Sequence, residues 1–347
     1  MTGSDVAVIG AGPAGSACAA VLAERGLDVL LVDDGRRHGS WAGESLPPGG
    51  IDLMRSVFGD DVLDGHSRAY GVRSSWGSDE LATTDFIATP LGDGLILNRG
   101  RFDEQCRDYA RSRGATVMPG HVGTVSSVGG EWMSTMIDGS RIRSRWLVDS
   151  TGRSSSVGVR IGARRVRSDR LVAQVLVTDD RGDSVSGTLI EAVAEGWWYS
   201  TPLPDHRRVI ALLTDADLLA PLGERTSNWY GALAQTHHVR SAVGPINGDE
   251  QPLVHRADTS VLQPMAGERW CAIGDAAASW DPLSSQGLVS AVLMGARTGR
   301  ALDDAAAMDV LARDTHLLRS EHAALQSYYY GMEKRWANEP FWHRRQG

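Results

Sequence analysis

The stretch DVAVIGAGPAGSACAAVLAERGLDVLLVDD (5–34) decides the fold of this chain. Residues 5–9 form a short β-branched run that is typical of a buried parallel strand. Gly10, Gly12 and Gly15 follow in the spacing G-x-G-x-x-G. In this spacing the first glycine permits a tight turn, the second lets a pyrophosphate approach the backbone, and the third lets the next helix pack closely. The stretch therefore predicts a strand, a turn and a helix that bind a dinucleotide.

An alanine-rich helix and a second strand complete this unit. We expect the helix over 14–25, ended by Gly26, and the strand over 29–32. Asp33 follows about 20 residues beyond the glycine turn, where a carboxylate can accept hydrogen bonds from an adenosine ribose. Asp34 could share this role, and a plain turn residue is the alternative for Asp33.

Length and charge limit the classes of function. The 347 residues suffice for about two domains, and the net charge of −8 argues against a nucleic-acid partner, which requires a basic surface. No apolar run approaches the roughly 18–20 residues that span a bilayer, so we expect no integral membrane contact. The N-terminus enters a strand almost at once and leaves no room for a signal peptide, so we expect a cytoplasmic protein.

Cysteine and histidine spacing argues against a metal site. Cys18, Cys106 and Cys271 are far apart and lack any metal-ligand spacing, which indicates buried thiols in a reducing compartment. His237 and His238 are adjacent, so they point in different directions and are poor joint ligands. We expect no bound metal.

A second stretch, GERWCAIGDAAASWDPLSSQGLVSAVLMGARTGRAL (267–302), predicts a strand at 270–273, then Gly274 and Asp275, a loop, and a helix beginning near Gly287. A carboxylate at the end of a strand can accept a ribitol hydroxyl. A helix N-terminus offers unpaired N–H groups and positive potential to a flavin pyrimidine or a phosphate.

With two further stretches, 267–302 resembles the p-hydroxybenzoate-hydroxylase superfamily of flavin enzymes. RGRFDEQCRDYA (99–110) is similar to the superfamily's helix whose leading arginine, here Arg101, contacts FAD, and WLVDSTGRSSSVG (146–158) is similar to its strand followed by Asp149 and Gly152. The resemblance implies an α/β fold with a Rossmann-type FAD-binding domain, an antiparallel β-sheet substrate domain and a short helical C-terminus. It also implies FAD contacts at Gly10, Gly12, Pro13, Ala14, Gly15, Asp33, Asp34, Ser45, Arg101, Val122, Gly152, Gly274, Asp275, Ser285, Gln286, Gly287 and Leu288.

The element WAGESLPPGG (41–50) resembles the GES element of flavin-dependent halogenases and their non-halogenating relatives, which include maturation flavoproteins that oxidise aromatic side chains within peptides. Tryptophan halogenases relay hypochlorous acid through a lysine downstream of this element. Here SRAYGVRSSWG (67–77) has Tyr70 near that place, and Lys334, the only lysine, lies far down the chain in an expected terminal helix. Halogenases also carry W-x-W-x-I-P, whereas this chain reads WWYSTP (197–202). The resemblance is therefore to the non-halogenating branch.

The stretch EGWWYSTPLPDHRRV (195–209) crowds three aromatic rings beside two prolines. Alternation along a strand sends Trp197 and Tyr199 to one face and Trp198 to the other. We expect at least one ring to line a pocket for a flat substrate, and core packing is the alternative for any single tryptophan. The other residues of the predicted pocket are Tyr70, Arg73 and Pro282, with an exposed salt bridge as the alternative for Arg73.

From this resemblance we predict an FAD-dependent monooxygenase that hydroxylates an electron-rich ring, an indole or phenol on a small molecule or peptide, through a C4a-hydroperoxyflavin formed with O2. Ser45, Glu44 and His38 are the candidate catalytic residues; a surface role for Glu44 and a solvated loop for His38 are the alternatives. Electrons come from NAD(P)H or from a separate flavin reductase. The reductase is favoured because a second glycine-rich motif is absent. Single-component hydroxylases of this superfamily carry an Asp-Gly pair that touches both nucleotides, whereas here DSTG separates Asp149 from Gly152.

Alternation of apolar residues divides the chain. LVAQVLVTD (171–179) and RVIALLTDA (208–216) are typical of an antiparallel sheet with one covered face. We predict a discontinuous FAD-binding domain (1–66, 97–165 and 257–305), a substrate domain (67–96 and 166–256) and a helical tail (306–347). The tail's aromatic residues either pack on the core or leave the substrate cavity less enclosed.

Three other functions compete with hydroxylation. A geranylgeranyl-reductase-like enzyme would saturate alkenes, and a flavin-bearing partner would escort a peptide without turnover. A flavin-dependent halogenase is disfavoured because no lysine stands at the relay position.

Overall fold

The computed structural model describes residues 2–35, 43–86, 90–180, 187–246, 248 and 250–346. The strands are β1 (Thr2–Ile9), β2 (Val29–Asp33), β3 (Gly43–Leu46), β4 (Ser67–Ala69), β5 (Gly71–Ser75), β6 (Ala82–Asp85), β7 (Gly94–Asn98), β8 (Thr116–Pro119), β9 (Val122–Val128), β10 (Glu131–Met136), β11 (Arg141–Asp149), β12 (Arg164–Arg167), β13 (Leu171–Asp179), β14 (Thr188–Val193), β15 (Gly196–Pro202), β16 (Arg207–Asp215), β17 (Leu253–Arg256), β18 (Ser260–Gln263), β19 (Ala266–Gly267), β20 (Trp270–Ala272) and β21 (Ala278–Ser279). The helices are α1 (Pro13–Glu24), α2 (Pro48–Phe58), α3 (Arg99–Ser112), α4 (Ser156–Arg160), α5 (Arg225–Gln235), α6 (His238–Val243), α7 (Gly287–Ala301), α8 (Ala305–Met332) and α9 (Pro340–Gln346).

The first sheet is the Rossmann-type core of the molecule. Its parallel strands have the order β20-β11-β1-β2-β8. Strand β19 adds an antiparallel edge, and the β9–β10 hairpin extends the sheet from β11. Val6, Ala7 and Val8 of the central strand are buried, because apolar side chains cover both faces of the sheet. This double burial explains the unbroken apolar run in the sequence.

Helix α1 lies between this sheet and α7. Ten of its residues, from Pro13 to Leu22, are buried, and their small side chains let it approach both neighbours. A Cβ on Gly295 of α7 would stand 2.2 Å from the Ala14 carbonyl oxygen, and one on Gly299 would stand 3.0 Å from the Cys18 carbonyl oxygen. The two helices therefore touch backbone to backbone.

The second large sheet has the order β17-β13-β16-β15-β14-β5-β6. All of its pairs are antiparallel except β14 with β5, which run parallel. The sequence predicted that one face of this sheet is covered, whereas other elements pack on both of its faces. Trp198 packs against Trp229 of α5 on one face, while Trp197 lies among Tyr330 and Trp342 of the C-terminal segment on the other. The fold is thus a mixed α/β architecture with a parallel core, an antiparallel sheet and C-terminal helices.

The aromatic tail packs on the core. Tyr330, Phe341 and Trp342 are fully buried, and the Trp342 indole N–H donates to the Val193 carbonyl oxygen at 2.8 Å. Within the described ranges, no helix combines the length and apolar character needed to cross a bilayer. The three cysteines are free and buried, as expected. The domain boundaries proposed from the sequence stay a prediction.

Candidate active site

The glycine turn joins β1 to α1 and has one closed side and one open side. Gly10 has φ +109°, and a Cβ there would stand 2.3 Å from the Ser150 carbonyl oxygen. A Cβ on Gly15 would stand 2.0 Å from the Gly10 carbonyl oxygen. Gly12 is different, because a Cβ there would meet no described atom within 4 Å. The open side at Gly12 therefore leaves room for a pyrophosphate at the start of α1, whose first residues are Pro13 and Ala14.

Asp33 ends β2 and meets an arginine that sequence reasoning missed. The Nε of Arg107, on α3, lies 3.5 Å from the Asp33 Oδ2, and the Gly35 N–H donates to Oδ1 at 3.1 Å. Arg107 also approaches the Ala11 carbonyl oxygen at 3.5 Å, so it links the carboxylate to the glycine turn. Asp34 is exposed. Arg107 lies six positions after Arg101, and no motif marked it.

Ser150 and Asp149 brace the turn from β11. The Ser150 hydroxyl donates to the carbonyl oxygens of Ile9 and Gly10, at 2.9 and 2.6 Å. Asp149 accepts from the N–H and hydroxyl of Thr151 through Oδ1, and from the Gly158 N–H through Oδ2. Burial raises the pKa of Asp149 against these donors. Hydrogen bonds from the protein itself therefore occupy both oxygens of the Asp149 carboxylate.

The second flavin-like motif packs directly on the first. Gly274 has φ +56°, and a Cβ there would stand 2.7 Å from the Ala14 Cβ. The Asp275 carboxylate is part-exposed, with the Arg153 Nε at 3.5 Å. Arg165 donates to the Asp275 carbonyl oxygen at 2.7 Å, and burial lowers the pKa of Arg165 to about 10. Arg153 and Arg165 hold this loop and were missed, because neither stands in a recognisable spacing.

The N-terminus of α7 is open toward the same region. Ser285 adopts a left-handed conformation at φ +50°, and both Ser285 and Gln286 are exposed. Helix α7 then begins at Gly287, with no acidic residue in its first turn. Its first N–H groups therefore offer positive potential to an anion or a polarised carbonyl. Leu288 packs inward, so only its backbone can serve that role. Gly152, at φ +65°, begins the neighbouring turn after Asp149.

Glu44 lies in an ion-pair network with Arg99 and Asp103, so it is not an isolated surface residue. Arg99 of α3 contacts the Glu44 carboxylate and reaches Asp103 with its Nη2 at 3.1 Å. Although burial opposes its charge, Asp103 and Glu44 hold the pKa of Arg99 above its ordinary value. Glu44 thus ties β3 to α3, while Ser45 pairs with Ile96 in the small sheet β3-β7-β4.

Two predicted residues, Arg101 and Val122, are not among these contacts. The Arg101 guanidinium lies over Gly65, where a Cβ would stand 2.3 Å from its central carbon. Val122 is buried beside Met136 at the start of β9. His38 lies outside the described residues. These assignments stay predictions.

The aromatic strand β15 sends its rings to both faces. The Trp198 ring lies 5.1 Å from Trp229 and is fully buried in the core. The Trp197 indole N–H donates to the Tyr330 hydroxyl at 3.1 Å. Burial raises the pKa of Tyr199, and the charge of Glu44 adds to that effect. Tyr199 packs against the cluster that contains Trp197, whereas Trp198, also predicted for the pocket, is a core residue in this fold.

The remaining pocket residues lie at the edges. Tyr70 is 47% exposed. Arg73 stands on β5 opposite Thr83, and its buried Nε makes no hydrogen bond to the part of the chain that the structure describes. Pro282 is exposed and begins the turn Pro282–Ser284, which Asp281 caps by accepting from the Leu283 N–H at 2.9 Å.

Lys334 lies just after the end of α8 rather than in a helix, and it is exposed. Its neighbour Glu333 accepts from the Gly77 N–H at 2.8 Å. The fold therefore brings this lysine near the segment 67–77 in spite of the long sequence separation. Its exposed position still differs from an enclosed relay.

Two features of the described residues suit the binding of FAD. The open face at Gly12 and the free N-terminus of α1 suit a pyrophosphate, and the open N-terminus of α7 suits the flavin pyrimidine. Gly274 against Ala14 holds the two features together.

Comparison with known proteins agrees with this geometry. Residues 8–81 match the model of an NAD(P)-binding Rossmann-like domain. The chain is 29% identical to LodB of Marinomonas mediterranea, named as an FAD-dependent oxidoreductase, over 99% of this chain and 97% of that protein. It is also 29% identical to the menaquinone reductase of Mycobacterium tuberculosis, over 86% of this chain and 75% of that protein.

Solved structures show the same fold. The flavin-dependent halogenase CmlS superposes with a TM-score of 0.84 at 24% identity, covering 100% of this chain and 68% of that one. QhpG, a peptidyl tryptophan dihydroxylase essential for tryptophylquinone cofactor biogenesis, superposes with a TM-score of 0.82 at 26% identity, covering 100% of this chain and 79% of that one.

Proposed function

We propose that this chain, an FAD-dependent oxidoreductase with the halogenase-like flavin monooxygenase fold, hydroxylates an electron-rich aromatic ring carried by a peptide or a small molecule. The observation that carries the proposal is the whole-chain similarity to a peptidyl tryptophan dihydroxylase. Each hydroxylation consumes the aromatic compound, O2, two electrons and two protons, and yields the hydroxylated compound and water.

FAD, when bound, supplies the redox chemistry with O2. The chain's own residues bind and orient it: Gly12 and the start of α1 take the pyrophosphate, and the start of α7 takes the pyrimidine. Asp33, held by Arg107, serves the adenosine ribose. Glu44, tied to Arg99 of α3, positions the GES strand.

The electron source is proposed to be a separate flavin reductase or free reduced flavin. Both oxygens of Asp149 accept hydrogen bonds from its own loop and from α4. This carboxylate is therefore occupied where single-component relatives touch a second nucleotide, which supports the reductase over direct use of NAD(P)H.

Mass spectrometry tests the proposal. We expect protein supplied with FAD and a flavin reductase in air to add one oxygen atom to a tryptophan-containing peptide or an aromatic metabolite, with the oxygen coming from ¹⁸O2. An unchanged mass together with no substrate-dependent oxygen consumption would favour an escort without turnover. Addition of chlorine in chloride buffer would make the chain a halogenase.

Alkene reduction is the second candidate function, favoured by the similarity to a menaquinone reductase. It predicts a gain of two hydrogen atoms by an isoprenoid substrate with reduced flavin in the absence of O2. The anaerobic arm of the same experiment separates it from hydroxylation.

A further inference from the structure

A small cavity lies between the turn Pro282–Ser284 and the C-terminal half of α8. Its volume is about 130 Å³. A protein cavity of about 150 Å³ accommodates benzene, so this space can hold one six-membered ring of a larger ligand, and the exposed lining residues Ala323 and Tyr329 leave it open on the side of α8. Leu283 and Ser284 line it on one side, and Ala323 and Tyr329 line it on the other. Ser284, which lines the cavity, stands three residues before Gly287, the first residue of α7.

One wall of the cavity is formed by two stacked rings. The ring of His322 stacks on Trp280, with centroids 4.5 Å apart and planes 14° apart. Both side chains are buried, and burial lowers the pKa of His322 below its ordinary value. The imidazole is therefore neutral at neutral pH, and the pair presents a stacking surface rather than a cation.

Another wall holds a buried carboxylate. Asp281 is 6% exposed; its Oδ1 accepts from the Leu283 N–H at 2.9 Å. Its Oδ2 accepts from the Gln326 side-chain amide at 3.0 Å and from the Tyr330 hydroxyl at 2.8 Å. A carboxylate has about four lone-pair positions, so these three donors leave one for a further donor.

The carboxylate is held rigidly, because Gln326 and Tyr330 are four residues apart on α8 and approach it together. The Tyr330 hydroxyl also accepts from the Trp197 indole at 3.1 Å, which links Asp281 to the aromatic strand. Such a fixed acceptor favours a donor that matches it in position.

We propose that this cavity binds the substrate's aromatic ring and that Asp281 accepts a hydrogen bond from a donor on that ring, namely the N–H of an indole. The inference rests on the proposed function and names the substrate class of the same site. The Trp280–His322 wall stacks on the ring. The hydrogen bond to the carboxylate raises electron density in the ring, which assists its oxidation.

The test measures binding rather than turnover. FAD-loaded protein is titrated calorimetrically with 3-methylindole, which carries the ring N–H, and with 1,3-dimethylindole, which lacks it. A hydrogen bond to a charged group contributes about 1.5–3 kcal/mol, so we expect 3-methylindole to bind roughly 10- to 100-fold more tightly. Asp281→Asn is expected to reduce that preference.

A matched pair of substitutions at Ala323 and Ala324 keeps the test informative if Asp281→Asn misfolds. Ala323 and Ala324 are neighbouring exposed residues of α8, but among the described residues only Ala323 of the two lines the cavity. We expect Ala323→Phe to abolish binding of both indoles and Ala324→Phe to leave binding unchanged.

Three outcomes would overturn the subsite: no saturable binding of 3-methylindole to the wild type, equal affinity for the two indoles, or equal effects of Ala323→Phe and Ala324→Phe on binding. None of these would affect the proposed function, because oxygen incorporation into a peptide is measured separately. Conversely, selective binding without oxygen incorporation would keep the subsite and remove the monooxygenase.

Discussion

Gly10 and Gly12 stand two residues apart in the same turn, yet the fold uses them for different reasons. Gly10 combines φ +109° with a close backbone approach to Ser150, so it is required for folding. Gly12 has φ −76° and open space where a side chain would project, so it is required only if a ligand fills that space. The G-x-G-x-x-G spacing alone does not separate these two roles.

Alanine substitution separates them. We expect Gly10→Ala to destabilise the FAD-free protein by about 3 kcal/mol or more, because the new Cβ strains φ and collides with the Ser150 backbone. Gly12→Ala should cost about 1 kcal/mol or less of stability but weaken FAD binding at least about tenfold. Thermal unfolding without FAD and fluorescence titration with FAD measure the two effects. Equal loss of FAD affinity without loss of stability in Gly10→Ala would contradict the assignment.

At the scale of elements, the contact between α1 and α7 joins the two cofactor motifs. Gly295 lets α7 approach the Ala14 carbonyl, and Gly274 packs against the Ala14 side chain from the preceding loop. The spacing between the glycine turn and the start of α7 therefore depends on small residues well inside the helices.

Gly295→Ala tests this contact. A Cβ would stand 2.2 Å from backbone that cannot move away cheaply, so we expect a loss of about 1–3 kcal/mol and a weaker affinity for FAD. The control is Gly231→Ala in α5, where a Cβ meets no described atom within 4 Å. That change should raise stability by about 0.4–1 kcal/mol, because alanine reduces the freedom of the unfolded chain. Urea unfolding of both variants measures the difference. If both variants gained stability, the close helix contact would be wrong.

At the scale of the whole molecule, the C-terminal segment belongs to the core of the second sheet. Trp76, Trp197, Tyr330 and Trp342 form one cluster, in which the Trp76 and Trp342 ring centroids are 5.3 Å apart. The side of β15 that carries Trp197 is covered by residues from the end of the chain. A tail that packs this way also holds Asp281 through Tyr330.

Trp342→Ala should therefore destabilise the whole protein. We expect a loss of about 3–5 kcal/mol, because the change removes a fully buried ring and leaves the Val193 carbonyl without its indole donor. Tyr328→Ala is the control, since Tyr328 is 63% exposed and should change stability by no more than about 0.5 kcal/mol. Thermal denaturation followed by circular dichroism checks both values. A Trp342→Ala protein as stable as Tyr328→Ala would show that the tail is not part of the core.

Local sequence patterns predicted the positions of strands and helices well, but they did not predict which elements pack against one another. The strand at 171–179 was predicted residue for residue, and α7 begins at Gly287 as expected, because periodicity and glycine positions act within a few residues. Such short-range patterns could not test the assignment of Trp198 to the substrate pocket. Alternation predicts that it opposes Trp197, but not that α5 covers its side.

The sequence by itself determined the glycine turn, the order of strands and helices around it, and the flavin-like second motif, since each depends on backbone demands inside one short segment. Only the tertiary structure decided that Arg107 faces Asp33, that Glu44 is bound by Arg99, and that Trp197 is covered by Tyr330, 133 residues away. Contacts of that kind depend on how whole layers pack, and no local pattern carries them.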